Sequence, residues 1–197
     1  RIENLTTRTG GASRTTSAFD AVADDTRHTL ILRTGPPDEV HAGMELEAGV
    51  QQRAAAAGVP VPHILAADNS AAALGNPYLI CNLIPGETIV RRIHRALDDA
   101  GRDRLLRQCA HALAAIHRAD PDGLGLEQTD QLAEWHDRLD EMGDTTATFE
   151  WAFRWLAANR PPPTPTRLVH GDFRMGNLIV DENGLAGLEE ERRLAYV

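Results

Sequence analysis

Leu168-Val169-His170-Gly171-Asp172-Phe173-Arg174-Met175-Gly176-Asn177-Leu178-Ile179-Val180 is the stretch on which the reading of this chain turns. Apolar residues at both ends flank a polar centre, a pattern that predicts strand, loop and strand, with His170, Asp172 and Asn177 carried on the loop. Asp181-Glu182-Asn183-Gly184 supplies an Asn-Gly turn, and Leu185 to Leu188 returns as the partner strand of a hairpin. A loop fixed between paired strands is a place where reacting groups can be held.

The spacing of the polar groups narrows the chemistry. In phosphoryl transfer a carboxylate orients the acceptor hydroxyl, while an amide oxygen nearby helps hold a Mg2+ that offsets the phosphate charge. Asp172, followed five residues later by Asn177, offers both groups. The run from His170 to Asn177 resembles the catalytic loop of the aminoglycoside phosphotransferase and choline kinase-like family, with its His-Gly-Asp, four variable residues and Asn. The likeness extends outward: Gly10-Gly11-Ala12-Ser13 resembles the family's phosphate-side loop, Val59-Pro60-Val61-Pro62 its loop after the first helix, and Leu113 to Asp120 the end of a later helix. Such a likeness implies an α+β, protein-kinase-like fold of two lobes with ATP in the cleft between them. It implies Asp172 as catalytic base, His170 as the residue bracing the loop, Asn177 as a Mg2+ ligand, and Gly10, Gly11 and Ser13 on the phosphates. Asn82 and Leu83, in Ile80-Cys81-Asn82-Leu83, correspond to the hinge that receives adenine.

Two positions depart from the family pattern. Arg33 stands where the family places a cation, usually lysine, over the ATP phosphates, with Glu47 as its acidic partner. A guanidinium is planar and longer than an ammonium, so it binds phosphate differently. After the hairpin, where the family carries a metal-binding aspartate, this chain has Glu189-Glu190-Glu191-Arg192-Arg193. Counting from the hairpin puts Glu190 at the metal position; counting back from Leu194 puts Glu191 there. The same run also reads as a solvated charge cluster. Two functions therefore stand side by side: an ATP- and Mg2+-dependent kinase acting on a hydroxyl of a small molecule, or a catalytically impaired kinase-like module that binds nucleotide or a partner. Phe173-Arg174-Met175-Gly176-Asn177 and Ile84-Pro85-Gly86-Glu87-Thr88 look most like the branch related to the kinase domain fused to some acyl-CoA dehydrogenases. That branch implies a hydroxyacyl-type acceptor; the wider family implies an aminoglycoside-like one.

Ahead of this stretch, Ile2 to Thr7, Thr15 to Ala23 and His28 to Arg33 read as strands of an antiparallel meander. His41 to Ala57 switches to helical spacing, with Gly58 as its stop, and strands follow at His63 to Ala67 and Tyr78 to Leu83. This predicts a five-stranded sheet with one inserted helix, forming a nucleotide-binding lobe over residues 1–84. Residues 85–197 form a partial helical lobe carrying the catalytic loop at 168–180, joined through Ile84 to Thr88. Its strongest helix is expected over Asp103 to Arg118, with Leu106, Cys109, Leu113 and Ile116 facing the core. Helices over Asp130 to Glu141 and Thr148 to Asn159 would bury Trp135, Leu139, Trp151 and Trp155. Pro161-Pro162-Pro163 ends the second of them as a stiff spacer.

Composition sets outer limits. Of 197 residues, 42% are hydrophobic and 25% charged, the profile of a globular domain. All 20 basic residues are arginine, so chemistry that needs a lysine is excluded. The net charge of -9 speaks against nucleic acid and anionic membrane surfaces as partners, and no apolar run approaches the ~20 residues of a membrane span. Cys81 and Cys109 sit in apolar stretches and read as buried hydrophobes in a reducing, cytoplasmic setting. His28, His41, His63, His94, His111, His117 and His136 show no metal-ligand spacing. Arg1 and the ending at Val197 give the expectation of a fragment of a longer protein.

Overall fold

A computed structural model describes residues 1–8, 14–24, 26–36, 43–126, 130–162 and 165–188. Strands β1 (Ile2–Arg8), β2 (Thr15–Ala23) and β3 (Thr26–Thr34) form the expected meander, and helix α1 (Met44–Ala56) interrupts it before β4 (Ile64–Asp68) and β5 (Tyr78–Asn82). The five strands lie in the order β1-β2-β3-β5-β4, every neighbouring pair antiparallel. β5 enters between β3 and β4, so the strand that leads toward the second half of the chain is an interior one, paired on both sides. Gly58 closes α1 with φ +89, the left-handed conformation in which a side chain would be strained.

Helix α1 serves two cores. Met44 and Ala48 pack on the sheet with Ile64, Leu79 and Cys81. Val50 and Ala54 point the other way, into a cluster with Ile93, Leu105, Ala112, Ile116, Leu168, Leu178, Val180 and Leu188. Glu47 and Gln51 are buried on the same side of the helix as Val50 and Ala54, at the i, i+3, i+4, i+7 positions of one face.

The second half contributes α2 (Val90–Ala96), α3 (Asp99–Ile116), α4 (Gln131–Met142) and α5 (Ala147–Ala158), then the hairpin of β6 (Leu178–Asp181) and β7 (Gly184–Leu188). Asp98 caps α3 through Gly101 N–H, Asp130 caps α4 and Thr146 caps α5, each by a side-chain oxygen on a free amide of the first turn. The buried face of α3 is Leu105, Ala112, Ala115 and Ile116, one residue out of phase with the expected stripe over its first half, and Leu106 is 69% exposed. The helix starts at Asp99, and Gly101 in its first turn is buried against Asp98 and Leu97.

The tryptophans are the larger correction. α4 and α5 bury no residue fully; Trp135, Trp151 and Trp155 are all exposed, while Leu139 is half-buried. The two helices face each other around an apolar groove of about 690 Å³ lined by Leu132, Trp135, Phe149, Phe153 and Leu156. No helix among the described residues is long and apolar enough to cross a membrane.

The halves are sewn together near the hairpin. Glu87 and Val180 exchange both main-chain hydrogen bonds, at 2.8 and 3.0 Å, and Leu188 N–H donates to Pro60 carbonyl at 3.0 Å. On the far side Gln108 of α3 accepts from Leu185 N–H at 3.0 Å and donates to Asn183 carbonyl at 3.1 Å. Gln108 lies so close to Gly184 (φ +112) that a Cβ at Gly184 would collide with its amide, which accounts for the Asn-Gly turn.

Candidate active site

The stretch from Leu168 to Val180 is anchored at both ends. Leu168 is fully buried, and Leu178, Ile179 and Val180 enter the core as β6. Between them the chain passes through Gly171 at φ +78 and a 3-10 turn at Met175–Asn177. Of Leu168 and Val169 only Leu168 makes a β-bridge, so the first of the two expected strands is reduced to a single residue.

Asn177 is 2% exposed and turns its amide back across the loop. Its Nδ2 donates to the Asp172 carbonyl oxygen at 2.8 Å and to Asp172 Oδ2 at 3.0 Å. Arg174 Nε adds bonds to both Asp172 oxygens, at 3.2 and 3.0 Å. The Asn177 hydrogen bond, followed by that of Arg174, holds the Asp172 carboxyl below the usual carboxylate range. Asp172 is therefore a half-exposed, firmly ionised acceptor. His170 is buried against Phe173, their rings edge to face at 5.4 Å, and its Nδ1 accepts Asp172 N–H at 3.3 Å. Burial pushes the imidazole pKa down, so the ring is neutral and its proton belongs on Nε2.

A second cluster lies in the sheet half. Glu47 accepts from Arg33 on Oε1 and from Arg14 on Oε2, and all three side chains are largely buried. Arg14 also reaches Met44 Sδ at 3.3 Å. The structure thus brings Arg33 and Glu47 together and adds Arg14, which sequence reasoning did not single out, although it directly follows Gly10-Gly11-Ala12-Ser13. Arg174 was likewise passed over as a variable residue of the motif. At the end of β5, Asn82 N–H donates to His63 carbonyl at 3.1 Å and Leu83 N–H to Thr29 carbonyl at 3.0 Å. Gly10, Gly11, Ser13 and Glu190 lie outside the described residues.

Among the remaining histidines, His136 stands between Asp140 at 3.5 Å and Glu150 at 3.6 Å, joining α4 to α5, with its ring on Phe153. The i, i+4 relation of His136 and Asp140 was visible in the sequence, but the third member arrives only through the packing of α5.

The donor set near Asp172 suits a hard cation. With its nitrogen committed to Asp172, Asn177 could offer a metal only its amide oxygen, a ligand type that Mg2+ prefers.

Comparison with known proteins gives the family and the fold. The sequence profile described as Phosphotransferase enzyme family matches residues 5–188. Over 76% of this chain, acyl-CoA dehydrogenase family member 10 of Mus musculus is 27% identical, and over 61% an Arabidopsis thaliana protein described as probable acyl-CoA dehydrogenase IBR3 is 28% identical. The chain spans only 15% and 17% of those two proteins. Among solved structures, a candidate aminoglycoside phosphotransferase from Ralstonia eutropha JMP134 superposes with TM-score 0.73 at 20% identity, covering 94% of this chain and 57% of that one. The macrolide 2'-phosphotransferase MphH of Brachybacterium faecium superposes with TM-score 0.64 at 18% identity, covering 98% and 67%. These likenesses establish the two-lobed kinase-like fold.

Proposed function

Since the chain belongs to the phosphotransferase enzyme family, we propose that it is the catalytic part of an ATP-dependent kinase that phosphorylates a hydroxyl of a small molecule. The observation that carries this reading is the clamp on Asp172, whose carboxylate is half-exposed and ionised while its main chain is fixed by Asn177. A carboxylate held below its usual pKa is a weak base. Its task is to accept the hydrogen bond of the acceptor hydroxyl and aim that oxygen at the γ-phosphorus. The bond from phosphorus to the ADP oxygen breaks as the new one forms, and the hydroxyl proton passes to Asp172 late in the transfer.

Mg2+ would be held by Asn177, with Glu190 as the proposed carboxylate, and when bound it would offset charge on the phosphates. Arg33, kept in place by Glu47, and Gly10, Gly11 and Ser13 are proposed on the nucleotide phosphates, and Asn82 and Leu83 at the adenine edge. The two main-chain N–H groups of Asn82 and Leu83 already have partners, so in the present geometry an adenine contact there falls to carbonyl groups or to the residue that follows. For the acceptor we favour a hydroxyacyl-type molecule. Sequence identity is 27% and 28% to two acyl-CoA dehydrogenase proteins and 18% to the macrolide phosphotransferase, which supports the former kinship. A cytoplasmic setting fits this substrate class.

Thermal unfolding with and without saturating Mg-ATP tests nucleotide binding. Ligand at 100 times its Kd adds ~2.7 kcal/mol, a rise of roughly 5 to 10 °C in Tm for a chain of this size. Asp172→Asn is expected to retain that rise and lose transfer to acceptor; transfer equal to the unmodified protein would remove Asp172 from the mechanism. Turnover of aminoglycosides alone, in a panel containing hydroxyacyl compounds, would overturn the acceptor assignment.

A further inference from the structure

Two buried side-chain atoms have no hydrogen-bond partner among the described residues, and they belong to the two halves of the molecule: Gln51 Oε1 on α1 and His170 Nε2 on the catalytic loop. Each residue is 5% exposed. An unmatched polar atom at that depth is costly, and two of opposite character close together call for a common explanation. Both side chains line one small cavity of about 20 Å³, otherwise walled by apolar residues including Val50, Ile116, Leu168 and Leu188.

The character of each atom is fixed. His170 Nδ1 accepts Asp172 N–H, so the proton of the neutral ring is on Nε2 and that atom is a donor. Gln51 Oε1 is an acceptor. A volume of this size is enough for one water, and two polar walls provide the partners a buried water requires.

We infer that a single buried water accepts from His170 Nε2–H and donates to Gln51 Oε1, making Gln51 a positioning residue for the catalytic loop. Gln51 lies one turn beyond Glu47 on α1, so the helix that holds Arg33 and Arg14 through Glu47 also holds His170 through Gln51. The ring then fixes Asp172 through its main-chain N–H. One rigid helix thereby registers the cation cluster against Asp172. The contact itself rests on geometry alone; its consequence for phosphoryl transfer rests on the function proposed above.

Nitrogen-15 NMR of the full chain, with labelled histidine side chains, tests the contact without any substrate. His170 is expected as the Nε2–H tautomer at neutral pH, with an Nε2 proton that exchanges with solvent slowly. Gln51→Met keeps the side-chain length and removes the amide oxygen; it should speed that exchange by about tenfold or more as the buried link is lost. An Nδ1–H tautomer in the unmodified protein, a reading that needs no variant to fold, overturns the inference. So does a Gln51→Met protein whose His170 signals are unchanged. Mg-ATP titration of the same samples by calorimetry reads the other question: absent nucleotide binding with the tautomer and exchange intact would sink the kinase reading and leave the contact standing.

Discussion

Asn177 donates one amide group to two oxygens of Asp172, the main-chain carbonyl at 2.8 Å and the carboxylate at 3.0 Å. The residue five positions downstream therefore sets both the path of the loop and the charge state of the aspartate it carries. The Asp-x-x-x-x-Asn spacing closes a small ring around the 3-10 turn of Met175–Asn177, and Arg174 joins the Asp172 carboxylate through both of its oxygens.

Replacing Asn177 by alanine should damage fold and activity together. A buried amide and its bonds to Asp172 are lost, for which a cost of about 1 to 3 kcal/mol is expected in denaturant unfolding. Transfer should fall further than stability explains, because Asp172 loses the bonds that Asn177 makes to its main chain and carboxylate and the proposed metal-binding oxygen is removed; single-turnover kinetics at a temperature where the variant is fully folded separates the two.

Arg174→Gln removes an exposed cation that lowers the Asp172 pKa without being its main determinant. The Asp172 pKa should rise. The acid limb of the pH–rate profile, where activity appears as Asp172 ionises, should move to higher pH while the fold keeps its unfolding midpoint. A limb that stays in place would show that Asp172 ionisation does not govern it.

His170 makes stability depend on pH in a definite direction. Its folded pKa lies below the ordinary value of about 6.5, so as the pH falls through that value the unfolded chain takes up the proton first. Stability from this group is complete above the ordinary value and declines below it. Melting curves between pH 7.5 and about pH 5 should show a steeper loss for the unmodified protein than for His170→Gln.

Glu47→Leu would leave the Arg33 and Arg14 guanidiniums, both largely buried, without the carboxylate they share. Breaking such a cluster from its centre costs about 3 to 5 kcal/mol, whereas removing one cation by Arg33→Met should cost less. Denaturant titrations of the two variants give the order directly.

Much of this was legible beforehand because it follows from local rules. Alternation, Gly58 and the prolines after it defined the sheet and α1, and Asn183-Gly184 defined the hairpin turn. The expected pairing of Arg33 with Glu47 is present as a contact. What escaped depended on tertiary placement. Leu105 rather than its neighbour Leu106 faces inward on α3 because what the helix packs against chooses between adjacent leucines, and Trp135 of α4 stands at an open groove, with Trp151 and Trp155 of α5 exposed, because apolar spacing specifies a sticky face without saying what it meets. Gln51 was passed over although a signal existed: Glu47 and Gln51 interrupt the apolar face carrying Val50 and Ala54, and a polar side chain on a buried face is the informative exception.

The paired hydrogen bonds between Glu87 and Val180 bear on how the cleft can move. Leu83 is still bonded to Thr29 of β3, so the chain is free of the sheet only from Ile84 to Gly86 before it is fastened to the β6–β7 hairpin. Gly86 itself has no slack, since a Cβ there would stand 2.5 Å from Ile179 and 3.0 Å from the Val180 carbonyl. With so short an unfastened stretch, and with α1 packed into the cores of both halves, a displacement of the sheet is handed to the hairpin that follows Asp172 through main-chain bonds and packed side chains, not through a slack linker.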